Sequence, residues 1–277
     1  MITIIGILTF ALWILAIAFM LVRIEGYCRT DVILKTAATA CIVLIAILAN
    51  VMNGRIYENQ PVAGETIFRY LIVAGLVFGM LGDLRLGQSH INRDKKVSYM
   101  YQGIIFFGLN HVCNIAAILQ ISYLADKKYM IYALCGAVAV ALIVGFGGRK
   151  LGFHFGRYTV AVSGYAGLLS MDSFLAIGMW RSMKVLIETS EAAYNEYAAS
   201  TGIYDAAMLP NLAYVLLPVF VCLAAGQLAF LISDMTLVPM YFGRMGTKPH
   251  YVILNHVSYY LAQQLMAFSL MAFAYRW

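Results

Sequence analysis

IFRYLIVAGLVFGMLGDLRL, Ile67 to Leu86, decides the fold: the stretch is long enough to cross a bilayer and carries a carboxylate near its end. From Ile67 to Gly82 the only charge is Arg69, and Asp83 closes the run. A helix needs ~20 predominantly apolar residues to traverse the hydrocarbon. An ionisable group held there is costly and by default faces the bundle interior, where it marks a functional site. A second apolar run, Leu212 to Ser233, is closed in the same way by Asp234. Two such acids are the seed of an acid/base site.

Composition makes the bilayer the solvent for the rest of the chain. Of its 277 residues 62% are hydrophobic and 12% charged, with a mean hydropathy of +0.81, and a water-soluble domain of this size needs more charge to cover its surface. Eight stretches approach spanning length: Ile2 to Val22, Thr36 to Met52, Ile67 to Leu86, Tyr99 to Ile121, Met130 to Phe146, Tyr158 to Trp180, Leu212 to Ser233 and Tyr251 to Phe273. They predict an all-α, polytopic membrane helix bundle with about eight transmembrane helices. No linker, low-complexity segment or internal repeat divides residues 1–277, so the expectation is one integral membrane domain. The polar stretch Arg181 to Met208 mixes Glu188, Glu191, Glu196 and Asp205 with Val185, Leu186, Tyr194, Tyr197 and Ile203. It reads as an extramembrane interfacial helix lying across the membrane face between spans six and seven, or as a plain loop.

The first span has no Lys or Arg before it and exceeds the ~7 to 15 apolar residues of a cleavable signal, which fits a retained anchor. The five cysteines include no CxxC pair, so neither a disulfide framework nor a zinc knuckle is indicated. The loops after spans one, three, five and seven hold twelve basic residues: Arg23, Arg29, Lys35, Arg85, Arg93, Lys95, Lys96, Arg149, Lys150, Arg157, Arg244 and Lys248. The opposite side holds seven: Arg55, Arg69, Lys127, Lys128, Arg181, Lys184 and Arg276. The positive-inside bias then puts the odd-numbered loops in the cytoplasm and both termini outside. The net charge of +6 has the same origin, since no interleaving of basic and aromatic residues suggests a nucleic-acid partner.

With alternating spans, Asp83 and Asp234 fall within about a turn of the same membrane face. Lys35 opens the second span there, and Asn255, His256 and Tyr259 open the eighth. His111 lies some ten residues into the fourth span, about 15 Å along the axis. Gly75, Gly79 and Asp83 recur every four residues, so a small-residue face carries the acid into the bundle. Gln227 shares a face with Asp234, and Tyr259 and Gln263 are one turn apart. The expectation is one inner-leaflet cavity in which Tyr259 and Gln263 hydrogen-bond towards the acids, with His111 at its floor. Each has a plainer reading: the acids pair with Arg85 and Arg244 at the interface, His111 is an interior hydrogen-bonded histidine, and Lys35 is an orientation signal. Asp172, mid-span and on one face with Tyr165, is assigned a separate role. His90, His154 and His250 are placed in solvated loops.

Several of these elements resemble the YhhN family of multi-span proteins, whose eukaryotic members include lysoplasmalogenases. The resemblance rests on GLVFGMLGDLRL (Gly75 to Leu86), GIIFFGLNH (Gly103 to His111), GQLAFLISD (Gly226 to Asp234) and YYLAQQL (Tyr259 to Leu265), with Lys35 where the family tends to have a lysine. The chain departs from the pattern at Asn114, where the family often has Tyr, and in the longer segments Gln88 to Lys96 and Arg181 to Met208. The resemblance implies hydrolysis of the vinyl ether of a lysoplasmalogen, carrying ethanolamine or choline, to a fatty aldehyde and a glycerophospho-base. Protonation of the alkenyl carbon gives an oxocarbenium ion that water captures, which calls for one protonated and one charged carboxyl. Asp83 and Asp234 would divide these roles, in either order, supported by Lys35, His111, Tyr259 and Gln263. Lys35, Arg85 or Lys248 would hold the phosphate of this lysophospholipid while its chain stays among the membrane lipids. No metal and no cofactor is called for. Two other readings stay open: a proton-coupled transporter using the acids and His111 as a relay, and a zinc-dependent lipid amidase, which needs about three ligands.

Overall fold

The computed structural model describes residues 1–56, 64–122, 127–148, 150, 152–201, 211–243 and 245–274. Among these residues the chain forms eight α-helices and no strand: α1 (Ile2–Glu25), α2 (Arg29–Ile56), α3 (Glu65–Ile91), α4 (Lys96–Gln120), α5 (Lys128–Gly147), α6 (Thr159–Thr201), α7 (Asn211–Phe242) and α8 (Pro249–Ala274). Seven of them, α1 to α7, are long and apolar enough to cross a membrane. The eighth is long enough but less apolar, because Asn255, His256, Ser258, Tyr259, Gln263 and Gln264 all lie on it and all are buried. Its polarity is turned inward. Trp13 of α1 donates its indole N–H to Gln264 Oε1 at 3.1 Å, so even this buried amide has a partner.

The bundle is apolar outside and polar within, as a bilayer requires. Ile7, Phe10, Ile14, Ile17 and Leu21 on α1, and Ile131, Leu134, Val138, Leu142 and Phe146 on α5, are exposed. These faces gain nothing from burial when the surroundings are lipid tails. α8 packs on α7, α2, α1 and α3, α3 packs on α4, and α4 and α7 both pack on α6, while α5 rests chiefly on α6 at the periphery.

Close helix approach depends on glycine where the sequence shows the four-residue ladder. A Cβ on Gly75 would sit 2.9 Å from Asn110 Oδ1, one on Gly79 would sit 3.1 Å from Gln263 Nε2, and one on Gly82 would sit 2.8 Å from the Phe107 ring. α3 is thereby seated against both α4 and α8 just where it carries Asp83.

The structure changes the reading of the polar stretch after span six. No separate helix starts at Arg181, because α6 continues through 43 residues to Thr201. From Arg181 to Thr201 there is no Gly or Pro to break it, and exposed Lys184 and Glu188 are one turn apart, 3.7 Å between Nζ and Oε1. At 1.5 Å rise the helix is about 64 Å long, roughly twice the hydrocarbon thickness. Residues 202–208, including Ile203 and Asp205, lie outside the described residues.

Gly82→Val should lower the thermal unfolding midpoint in detergent, with a loss of about 1–3 kcal/mol from overpacking against Phe107. Gly6→Ala, where a Cβ meets nothing within 4 Å, should leave the midpoint unchanged or slightly raised. Equal midpoints for wild type and Gly82→Val would mean that α3 and α4 are not in close contact there.

Candidate active site

Lys35, Asp83 and Tyr259 come from three helices and meet at one end of the bundle. The Lys35 ammonium lies 2.8 Å from Asp83 Oδ1, and the Tyr259 hydroxyl donates to Asp83 Oδ2 at 2.7 Å. Lys35 also stands 5.3 Å from the centre of the Tyr259 ring. Asp83 is 1% exposed and Lys35 6%. The plainer pairing of Asp83 with Arg85 is therefore not adopted: Arg85 donates to Gln88 Oε1 at 2.9 Å and lies over Tyr99.

Asp234 is held differently. Its Oδ2 accepts a 2.5 Å hydrogen bond from the Tyr165 hydroxyl of α6, and among the described residues it has no ion pair. Arg244, its expected interfacial partner, lies outside the described residues. Asn255 fixes the adjoining turn of α7 by donating to Ser233 O at 2.7 Å and to Ser233 Oγ at 3.0 Å. Unlike Asp83, Asp234 is only half-buried.

Both acids line a single cavity of about 460 Å³, within the size range of small-molecule sites. Lys35, Tyr165, Ser233, Asn255 and Tyr259 join them at its polar end. The remaining wall is hydrocarbon-like, built from Met100 and Ile104 of α4, Val140 and Val144 of α5, Val162 and Leu169 of α6, and Leu231 and Val238 of α7.

The structure brings the two motif acids, Lys35 and Tyr259 together and places four other expected residues elsewhere. His111 is not at the cavity floor. It is fully buried behind Tyr165 and Phe230, with Nδ1 2.9 Å from Asp172 Oδ2 and Nε2 3.4 Å from the Tyr165 hydroxyl. Gln263 bonds to neither acid; it packs beside Gly79, and its Nε2 finds no partner among the described residues. Arg85 and exposed Lys248 do not line the cavity, so of the three cations assigned to phosphate only Lys35 reaches it. Arg85 is two residues past Asp83 and so about 200° around α3 from it, and Lys248 precedes the first turn of α8, so neither is aimed with the acids.

Other groups were missed or misjudged from sequence. Asp172 is no separate element: Gln227 Nε2 at 2.6 Å, His111 Nδ1 at 2.9 Å and Asn114 Nδ2 at 3.2 Å all reach its Oδ2. Tyr165, two helical turns before Asp172, connects it to Asp234, and that seven-residue spacing was the available signal. A second buried ion pair, Arg23 Nε to Asp31 Oδ2 at 2.7 Å, ties α1 to α2. His90 is not in a solvated loop but in the last turn of α3, where its ring stacks on Tyr27 at 3.9 Å and tilts against Tyr241 at 5.0 Å. His154 is exposed in a loop as expected, whereas His250, though exposed, lies in the first turn of α8 rather than in a loop. No group of three or more His, Cys, Asp or Glu among the described residues is arranged to hold a metal ion.

Fold and site together define a multi-pass helical membrane protein with two carboxyls at the head of a mostly apolar cavity. The chain belongs to the YhhN family, whose sequence profile matches residues 30–270. That match covers α2 to α8 almost entirely and includes every residue of the site. No curated protein and no solved structure matches the chain.

Removing one partner of a buried ion pair leaves an uncompensated charge, which typically costs ~3–5 kcal/mol. Lys35→Met should therefore lower stability by about that amount, and adding Asp83→Asn should recover part of the loss. A Lys35→Met variant as stable as wild type in detergent unfolding would show that the 2.8 Å contact is not maintained.

Proposed function

We propose that the chain hydrolyses the vinyl ether of a lysoplasmalogen, with Asp234 as proton donor and Asp83 as the charged carboxylate. The observation that carries this reading is the unequal treatment of two acids on one cavity. Both line the cavity, but Asp83 is fully buried and ion-paired with Lys35, whereas Asp234 is half-buried and held by a hydroxyl. Environments that differ in this way divide carboxyls into acid and base roles. Membership of the YhhN family supports the same chemistry.

Asp234 delivers its proton to the alkenyl carbon remote from the ether oxygen. The positive charge that develops on the ether carbon and oxygen faces the Asp83 carboxylate, as in the related oxocarbenium chemistry of glycosidases. Water adds to the cationic carbon and its released proton restores Asp234. The hemiacetal collapses to the fatty aldehyde and the free glycerol hydroxyl. The hydrocarbon chain of the substrate occupies the apolar wall between α4, α5, α6 and α7, with its head group towards the basic segments that flank this end.

An ester or alkyl ether offers no carbon basic enough to accept that proton, so selectivity follows from the chemistry. Aldehyde release from matched alkenyl and acyl lysophospholipids by the purified protein tests the reading. Cleavage restricted to the alkenyl lipid is expected, with Asp83→Asn and Asp234→Asn each reducing it by the ~10² to 10⁴-fold typical of general acid/base catalysis. Tyr259→Phe should slow turnover in a protein that still folds. Full activity in either Asn variant would make that acid structural and favour a transport function for the cavity.

A further inference from the structure

We propose that Asp172, His111 and Tyr165 form a buried proton line that loads Asp234. The inference rests on Asp234 being the proton donor and describes where the proton that water returns to Asp234 is held between turnovers. The line runs from Asp172 Oδ2 to His111 Nδ1 (2.9 Å), from His111 Nε2 to the Tyr165 oxygen (3.4 Å), and from that oxygen to Asp234 Oδ2 (2.5 Å). Three helices contribute, α4, α6 and α7. His111 and Asp172 are both 0% exposed, so the line meets the cavity only through Tyr165 and Asp234.

Counting protons shows what such a line can do. Three links need three protons, and two arrangements of the same three satisfy every link. In one, Asp234 is protonated and donates to the Tyr165 oxygen, Tyr165 donates to His111 Nε2, and His111 donates from Nδ1 to the Asp172 carboxylate. In the other, Asp234 is a carboxylate accepting from Tyr165, and His111 is an imidazolium donating to both Tyr165 and Asp172. Moving two protons along the line interconverts them: the Asp234 O–H bond breaks as a new Tyr165 O–H forms, and the old Tyr165 O–H breaks as His111 Nε2–H forms, with no bond between heavy atoms changed and no net gain or loss of protons. One arrangement is ready to donate. The other stores the proton on His111, away from the cavity.

The surroundings of Asp172 fit the storing role. Its Oδ2 receives Gln227, His111 and Asn114 together, and its Oδ1 has no hydrogen-bond partner among the described residues. Donor groups converging on one oxygen suit a carboxylate that stays charged and balances an imidazolium. The other titratable groups sharing the cavity with the Asp234 end of the line are Asp83, Lys35 and Tyr259, which satisfy one another. Asp172 and His111 are thus positioning residues acting through Tyr165, and neither touches the substrate.

Infrared difference spectroscopy of the full chain in nanodiscs, at one fixed pH and without lipid substrate, tests this. The carbonyl band of protonated Asp234 is identified by its absence in Asp234→Asn. Asp172→Asn keeps an oxygen for the three donors but removes the charge that balances an imidazolium, so the proton should move to Asp234 and its band should gain intensity. His111→Gln should do the same, which covers failure of the first variant to accumulate. In a Tyr165→Phe background the addition of Asp172→Asn should change the band far less, because the link is cut. An Asp234 band that is absent throughout, or is unaltered by Asp172→Asn or His111→Gln with Tyr165 present, would overturn the proposal. Because no lipid is turned over, this result stands apart from aldehyde release, whose absence would instead count against the vinyl ether reading.

Discussion

An ammonium and a carboxylate 2.8 Å apart, Lys35 and Asp83, are enclosed where a bundle with apolar outer faces meets its polar interior. Neither charge can stay in such surroundings alone, because the cost of taking an ion from water is recovered only through close partners and further hydrogen bonds. The pair therefore dictates geometry. α2 and α3 must present their ends together, and α8 must bring Tyr259 to the second carboxylate oxygen. The glycines on α3 meet this demand by letting α4 and α8 approach until a Cβ would collide with Phe107 or press on Gln263.

Polarity concentrated inside the bundle produces three differently held carboxyls from one principle. Asp83, on the cavity wall, has a cation and a phenol. Asp172 has three donors on one oxygen and lies behind the cavity wall, while Asp234, on the cavity, has a phenol and is only half-buried. Aromatic edges pack the space around these sites: Phe230 lies 4.9 Å from the His111 ring and 5.6 Å from the Tyr259 ring, and Phe107 lies 6.1 Å from Tyr259. The low-dielectric packing that makes an unpaired polar group costly also makes a satisfied network specific.

The bundle was legible because spanning helices announce themselves by length and apolarity, and Asp83 and Asp234 were legible because each interrupts such a run. Lys35 and Tyr259 followed from sharing their depth. What the sequence hid is azimuth. Depth along a helix can be counted from the membrane face, but which neighbour a side chain meets depends on the rotation and packing of whole helices. His111 was therefore placed at the cavity floor when it turns towards Asp172, and Gln263 was turned towards an acid when it packs on Gly79. The Arg23 and Asp31 pair escaped for a related reason: charges near helix ends resemble orientation signals until a contact is seen. The continuation of α6 past Trp180 was masked by composition, since a polar helix leaving the membrane and one lying on it use the same residues.

Proton transfer to carbon is the step on which the functional account depends. Turnover of an alkenyl lysophospholipid in D₂O, with the aldehyde trapped by reduction as it forms, reads that step directly. The account predicts one deuterium on the carbon next to the former aldehyde carbon, delivered from Asp234. An aldehyde with no deuterium at that carbon would contradict protonation of the vinyl ether, and with it the roles given to the two acids.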